Sequence, residues 1–285
     1  MKNVLITGEN SYIGTSLENW LMREPKEYNV DTVDMKDGSW KEKNFSEYEV
    51  VFHVAGIAHV SSDPKMEDLY YKVNRDLTVE TAEKAKAEGV KQFIFMSSII
   101  VYGESSSRKR VIDRNTVPTP SNFYGNSKLQ AENGIKNLES DDFKIIILRP
   151  PMIYGKGSKG NYPRLAKMAK KIPIFPNIDN ERSMLHIDNL CEFIKIIIEH
   201  QESGLFFPQN KEYVKTSELV KTIAQLKDKK IWITGLFNPV VNSMYRFKIV
   251  NKVFGNLVYE KSMSDYDEAN YQIRTFKESI ELTEK

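Results

Sequence analysis

Residues 7–14, Thr-Gly-Glu-Asn-Ser-Tyr-Ile-Gly, constrain the fold of this chain more than any other stretch. They follow a short apolar run, Val4-Leu5-Ile6, and lead into an amphipathic stretch from about Ile13 to Glu24. A glycine directly after a strand permits a sharp turn, and a glycine one turn into a helix lets helix and sheet pack closely. The backbone N–H groups between them then face outward at a helix N-terminus, where they can hold a pyrophosphate. The expected cradle is Gly8, Ser11, Tyr12, Ile13 and Gly14. Ser11 stands where such loops usually carry their middle glycine, so its Cβ is expected to crowd the phosphate or shift it slightly.

The rest of the chain repeats the same alternation. Strands are expected at Val30–Asp34, Val50–Val54, Phe93–Met96 and Lys144–Leu148, and helices at Met66–Glu88, stopped by Gly89, and at Tyr124–Leu138. Continuous β-branched and aromatic runs bounded by helices indicate a parallel sheet covered on both faces, an α/β doubly wound fold. The link Met35–Glu49 is short, so a helix there is expected to be missing or reduced. Asp34, about twenty residues past the glycine loop, ends the second strand. A carboxylate there accepts from the adenosine ribose and repels a 2′-phosphate, which favours NAD over NADP; a solvated strand end is the plainer alternative. Beyond Pro150 glycines, prolines and lysines crowd the chain, and shorter elements follow: a helix near Asn189–His200, a strand at Leu205–Phe207, and a helix from Thr216 or Ser217. This divides the protein into a dinucleotide-binding domain, 1–150, and a smaller lobe, 151–285, with chain exchanged between them.

Composition narrows the partners. A formal charge of +2 demands neither nucleic acid nor an acidic membrane. The single cysteine, Cys191, excludes an intrachain disulfide, suits a reducing cytosol, and lies in an apolar run where a buried structural role is expected. The first apolar run is too short for a signal peptide, and no window approaches the ~20 apolar residues of a membrane span. Ile231–Phe254 is the most apolar late stretch, but Asn238, Pro239, Arg246, Lys248 and Lys252 break it. It reads as helix and loop, buried or substrate-facing, rather than as a membrane surface.

The blocks TGENSYIG, VVFHVAGIAHV, YYKVNRDLTVETAEKAKAEGVKQFIFMSSIIVYG, YGNSK, LRPPMIYG and RSMLHIDNL occur in an order that resembles the extended short-chain dehydrogenase/reductases, specifically their nucleotide-sugar epimerase/dehydratase group. The resemblance is strong from residue 3 to about 190 and thin beyond. It implies a Rossmann-type sheet with a smaller C-terminal substrate-binding lobe, bound NAD, a UDP-sugar substrate, no metal, a cytoplasmic location without membrane insertion, and a homodimer packed through the helices at 66–88 and 124–138.

Tyr124 and Lys128, four apart, share a helix face. A neighbouring ammonium and a positive nicotinamide would both favour the phenolate, making Tyr124 the acid/base. The resemblance also gives Lys128 to the nicotinamide ribose and Ser98 to the reacting oxygen, with Ser97 the adjacent alternative and a cofactor contact. It places the cofactor over Val54, Ala55, Gly56 and Pro150, with Asn74 supporting the site or serving structure alone. His53 is expected to be a packed histidine, and His59 is left open. In the second lobe the resemblance implies that Arg182 contacts the nucleotide's diphosphate or base, Asn161 the nucleotide, and Tyr154 the sugar, while Asp188 orients local structure.

Departures from the pattern select the chemistry. Sugar 4,6-dehydratases of this group carry an acidic pair where this chain has Ile99 and Ile100, so elimination of water is not expected. Met152 stands where UDP-galactose 4-epimerases usually have asparagine. The Pro150-Pro151 form is similar to bacterial enzymes acting on UDP-N-acetylhexosamines and their 4-keto-6-deoxy derivatives in surface-polysaccharide synthesis. Asp34 favours a 4-epimerase with tightly held NAD; Pro150-Pro151 favours an NAD(P)H-dependent 4-ketoreductase. A non-catalytic dinucleotide-binding regulator is the third reading, opposed by the presence of Tyr124 and Lys128.

Overall fold

The computed structural model describes residues 1–58, 63–107 and 109–285, so His59 lies outside the described residues. In chain order the elements are β1 (Lys2–Thr7), α1 (Tyr12–Leu21), β2 (Tyr28–Val33), β3 (Val50–His53), α2 (Glu67–Tyr71), α3 (Leu77–Ala87), β4 (Gln92–Met96), β5 (Val111–Ile112), α4 (Phe123–Lys136), β6 (Lys144–Leu148), β7 (Met152–Tyr154) and α5 (Asn161–Lys171). Then come β8 (Ile174–Pro176), β9 (Met184–His186), α6 (Ile187–His200), β10 (Gly204–Phe206), α7 (Thr216–Leu226), β11 (Trp232–Thr234), α8 (Asn238–Ser243), α9 (Lys248–Phe254), β12 (Val258–Tyr259) and α10 (Phe276–Glu284). Only a single 3-10 turn, Ser39–Lys41, fills the link between β2 and β3.

The chain forms two compact units. The first comprises 1–103, 118–150 and 190–208; the second comprises 104–117, 151–189 and 209–285. The crossing after Pro150 is therefore one of several. The strand near 205 returns to the first unit as an edge of its sheet, and residues 104–117 leave that unit for the second.

The first unit is built on a six-stranded sheet of order β10-β6-β4-β3-β1-β2, every pair parallel. Leu5, Val51, Phe93, Phe95, Ile145 and Ile147 alternate along the central strands and pack on Ala82 and Ala85 of α3 and Ala131 and Ile135 of α4. Their alternate neighbours, including Ile6, Phe52, Ile94 and Ile146, are equally buried. This is why the strands read as continuous apolar runs rather than alternating ones. On the α1 and α6 side, Trp20 donates through Nε1 to Glu192 at 2.9 Å and the Tyr28 hydroxyl to Glu199 at 2.6 Å. From β1 the chain goes to β2 on one side and β3 on the other. The strand order therefore reverses beside Gly8 and His53, and that reversal opens a crevice at the C-terminal ends of the strands.

The second unit has its own core, in which Tyr154, Tyr162, Leu165, Phe175, Val220 and Ile280 are among the buried side chains. The segment 231–254 folds largely into short helices and loop, as expected, but much of it is not buried. Val241 and Val250 turn inward against Ile178, but Trp232, Leu236, Phe237, Val240, Phe247 and Ile249 are exposed. Helices α8 and α9 are too short to bury more than one residue each on their inner side. Cys191 is buried.

Candidate active site

At the β1–α1 turn Gly8 has φ +89, and a Cβ there would come within 3.1 Å of the Ala55 backbone. The position demands glycine for its conformation and for the approach of β3's end. Ser11 has a role of its own at this turn. It is the N-cap of α1, in extended conformation, and its Oγ accepts from the Gly14 N–H at 3.1 Å. A capping serine satisfies one orphan donor and leaves the preceding N–H groups of the first turn for an anion. Asp34 lies just past the end of the neighbouring β2, with 40% of its side chain exposed, held by the Lys36 N–H at 3.0 Å and facing the Lys36 ammonium at 3.3 Å. Ala55 and Gly56 follow β3 with little side chain above them. Helix N-terminus, exposed carboxylate and small residues at adjacent strand ends together fit a dinucleotide lying across the crevice.

His53 belongs to the scaffold. Its ring is buried between Phe93 and Phe95, with centroids 5.7 and 6.1 Å away. The Thr78 hydroxyl donates to the Asn74 carbonyl at 2.9 Å, so towards His53 Nε2, 3.1 Å away, it accepts. Nδ1 then accepts from the Thr7 hydroxyl at 2.8 Å, and the imidazole is neutral. Burial, with the Lys128 charge adding to it, pushes the ring down to about 3 from 6.5. In acid the unfolded chain takes up this proton and the folded chain does not, so the contribution is intact above 6.5 and lost as pH falls towards 3. The expected loss is on the order of 3 kcal/mol by pH 4. Urea unfolding of wild type and His53→Gln at pH 7 and pH 4 checks this. Equal acid losses in the two proteins would contradict it.

Asn74 lies in one turn of π-helix, Lys72–Asp76, that interrupts the path from α2 to α3. Its side chain accepts from the Ile57 N–H at 2.8 Å, donates to the Ile57 carbonyl at 3.0 Å and reaches Ser127 Oγ at 3.2 Å. It thereby ties the segment after β3 to α4.

Helix α4 presents Tyr124 and Lys128. Asn122 caps it, its Oδ1 accepting from Gly125 N at 2.9 Å. Gly125 was not among the residues singled out from the sequence. A Cβ there would sit 2.7 Å from the Ile100 carbonyl oxygen, so only glycine lets the first turn of α4 reach the segment after β4. That approach puts Tyr124 beside Ser98, whose Oγ also accepts from Ile100 N at 3.3 Å. Burial pushes the Tyr124 phenol up to about 12, with Ser98 pulling the other way. The expectation that Lys128 lowers the phenol is not met by the protein alone. The Lys128 ammonium donates to the Met96 carbonyl at 2.7 Å and lies 4.6 Å over the Phe95 ring. Burial pushes Lys128 down to about 8, partly offset by Glu132.

Ser97 and Ser98, adjacent at a strand end, take opposite directions. The Ser97 hydroxyl donates to Glu132, which also accepts from Arg149 Nε at 3.0 Å, and Arg149 donates to the Tyr102 hydroxyl at 2.6 Å. Glu132 and Arg149 are fully buried, an ion pair beneath the site that no local motif announces. The Ser97 side chain is thus spent on this network. Pro150 is buried at the end of β6, its carbonyl accepting from Ile99 N at 2.9 Å.

In the second unit Tyr154 does not line a sugar pocket. It is fully buried, stacked on Tyr162 at 5.2 Å, with its hydroxyl on Ser279 at 2.5 Å and accepting from Asn210 at 3.0 Å. A large ring in a three-residue strand is the natural core of so small a lobe. Arg182 is half-buried and reaches Ser105 Oγ at 3.3 Å and the Lys252 carbonyl. No carboxylate lies within salt-bridge range of it among the described residues, and burial pushes the guanidinium down to about 10. Asn161 opens α5, part-exposed, after Gly160. Asp188 accepts from Arg274 Nε at 2.9 Å, a local brace.

Comparison with known proteins adds to this geometry. A profile of the NAD dependent epimerase/dehydratase family matches residues 4–207. The chain is 30% identical to a UDP-glucose 4-epimerase of Vibrio cholerae, over 89% of this chain and 83% of that one. It is 28% identical to an N-acetyl-alpha-D-glucosaminyl-diphospho-ditrans,octacis-undecaprenol 4-epimerase of Escherichia coli O157:H7, over 89% and 81%. In fold it is similar to a UDP-glucuronic acid 4-epimerase from Bacillus cereus solved with NAD, with TM-score 0.76 and 18% identity over 99% of this chain and 95% of that one.

Proposed function

The chain belongs to the NAD-dependent epimerase/dehydratase family, and we propose that it is a nucleotide-sugar 4-epimerase whose acid/base is Tyr124, supported by Ser98 and Lys128. The observation that carries the reading is the meeting of Tyr124 and Ser98 at the C-terminal end of β4, with the Lys128 ammonium buried one helical turn away. NAD supplies the hydride acceptor and, when oxidised, a positive charge. Gly8, Ser11, Tyr12, Ile13 and Gly14 hold its pyrophosphate, Asp34 its adenosine ribose, and Val54, Ala55 and Gly56 leave room for it at the strand ends. Ser97 and Pro150 border it through the backbone, and Asn74 keeps the wall at Ile57 in place.

Tyr124 takes the proton of the sugar C4 hydroxyl as the C4 hydride leaves, and returns it when hydride comes back to the other face of the keto sugar. A phenol held near 12 by the protein is protonated at neutral pH. Its activation therefore depends on positive charge arriving with the cofactor, which ties proton removal to the oxidised state. Lys128 adds its own charge while it stays protonated. Ser98 donates to the reacting oxygen. In the second unit Arg182, a half-buried guanidinium with no carboxylate partner among the described residues, suits the diphosphate of the nucleotide sugar. Asn161 is a further nucleotide contact.

The alternative, a 4-ketoreductase, uses the same three side chains and differs in releasing the oxidised cofactor. Pure protein incubated with UDP-N-acetylglucosamine or UDP-glucose and no added cofactor, followed by proton NMR at C4, separates them. Appearance of the galacto-isomer is the expected result. No conversion of either sugar, even with NAD added, would count against the epimerase, and a 4-keto sugar with NADH or NADPH is then the substrate to try.

A further inference from the structure

Of the sixteen large apolar side chains exposed among the described residues, seven fall between Trp232 and Ile249. Leu236 is 72% exposed, Ile249 69%, Trp232 59% and Val240 56%. Ile174, also exposed, lies directly beside Trp232 in the β8–β11 pair. Isolated surface hydrophobics need no explanation, but a run of this density does. The segment is well built. Val241 and Val250 anchor its inner side on Ile178. Asn251 Nδ2 donates to the Tyr245 carbonyl at 2.6 Å, the Tyr245 hydroxyl to the Phe254 carbonyl at 3.1 Å, and Asn238 Nδ2 to the Asn177 carbonyl at 3.0 Å.

Charge points to the occupant. From Lys229 to Tyr259 the chain has no aspartate or glutamate and five cations: Lys229, Lys230, Arg246, Lys248 and Lys252. Arg246 and Lys248 flank Phe247, and the Arg246 guanidinium lies 4.9 Å from the Phe247 ring. Asp179, which lines a pocket together with Asn238, Asn242 and Tyr245 of this segment, is already paired with Lys109 and Lys215. Exposed aromatic and aliphatic side chains interleaved with unopposed cations on short helices are the composition of a surface that lies in a headgroup layer.

We propose that the 232–252 surface of the second unit docks on an anionic lipid bilayer, seating Trp232, Leu236, Phe237, Phe247 and Ile249 at the boundary between headgroups and acyl chains and placing Arg246 and Lys248 on lipid phosphates. No helix of the described chain is long and apolar enough to cross a membrane, so the contact is peripheral and reversible. It is independent of which sugar the Ser98–Tyr124–Lys128 site turns over.

The fluorescence of the native chain reports on it directly. Trp20 and Trp40 are buried and Trp232 is the exposed tryptophan of the three. Full-length protein should co-float with phosphatidylglycerol-containing vesicles and not with pure phosphatidylcholine, its emission shifting blue on binding and returning with added salt. Arg246→Glu/Lys248→Glu should weaken that binding at least ~tenfold, and Leu236→Ser/Ile249→Ser should abolish the blue shift, both with bound-nucleotide content unchanged. Trp232→Phe should lose the signal and still float. Protein that stays off phosphatidylglycerol vesicles, or binding that survives both double variants, overturns the proposal. So does an apolar variant that only converts a larger assembly into a smaller one in sedimentation, which would make this face an interface between copies.

Discussion

Replacing Tyr124 with phenylalanine is expected to lower turnover by about 10²- to 10⁴-fold, the usual worth of a positioned acid/base, while leaving NAD bound and the fold intact. The substitution removes one oxygen. The ring keeps its edge contact with Tyr70, at 5.7 Å and 70°, and the Asn122 cap and Gly125 contact that place it are untouched. The proposed pyrophosphate cradle is untouched, because its groups belong to the β1–α1 turn. Initial rates with a UDP-sugar, together with nucleotide released by denaturing the purified variant, check both halves. Activity within a few fold of wild type would remove Tyr124 from the chemistry. Loss of nucleotide along with activity would make its role one of binding.

Arg149→Met is expected to have the largest effect on stability. It strips the directly bonded cation from a carboxylate, Glu132, whose side chain is fully buried and which also accepts from the Ser97 hydroxyl. Breaking a buried pair from one side typically costs about 3–5 kcal/mol, because an uncompensated charge is left in a low dielectric. Glu132→Gln/Arg149→Met, which neutralises both, should recover most of it. Urea midpoints of the single and double variants decide this; a single variant no less stable than the double would mean that the pair is not what holds this part of the core. The pair also bears on the site. Glu132 raises the Lys128 ammonium against burial, so Glu132→Gln should move Lys128 further below about 8 and shift the alkaline side of the rate profile to lower pH.

Much of this was legible before any coordinates. The β/α alternation, the glycine turn at Gly8, the strand runs and the Tyr124–Lys128 spacing depend on residues within a few positions of one another, and local patterns carry such information. The expectation for His53 as a packed ring also agrees with the structure, since an apolar strand flanks it. Two readings needed correction for one shared reason. Tyr154 in the sugar pocket and 231–254 as a buried stretch each assumed which way a side chain faces. Direction depends on what packs against the element, and for short elements in a lobe of modest size the sequence pattern does not settle it.

The amino-acid sequence by itself therefore determined that this chain winds a parallel sheet, turns sharply at Gly8 into a helix and sets a tyrosine and a lysine on one helix face. Only the tertiary structure decided that Ser98 rather than Ser97 meets Tyr124, that Glu132 and Arg149 neutralise each other beneath them, that Arg182 has no carboxylate partner among the described residues, and that the apolar residues after Trp232 stay outside. Each of these is a contact, or a missing contact, between residues far apart in the chain. Periodicity along one strand or helix fixes which residues share a face, but the neighbours brought by the rest of the fold decide what that face meets.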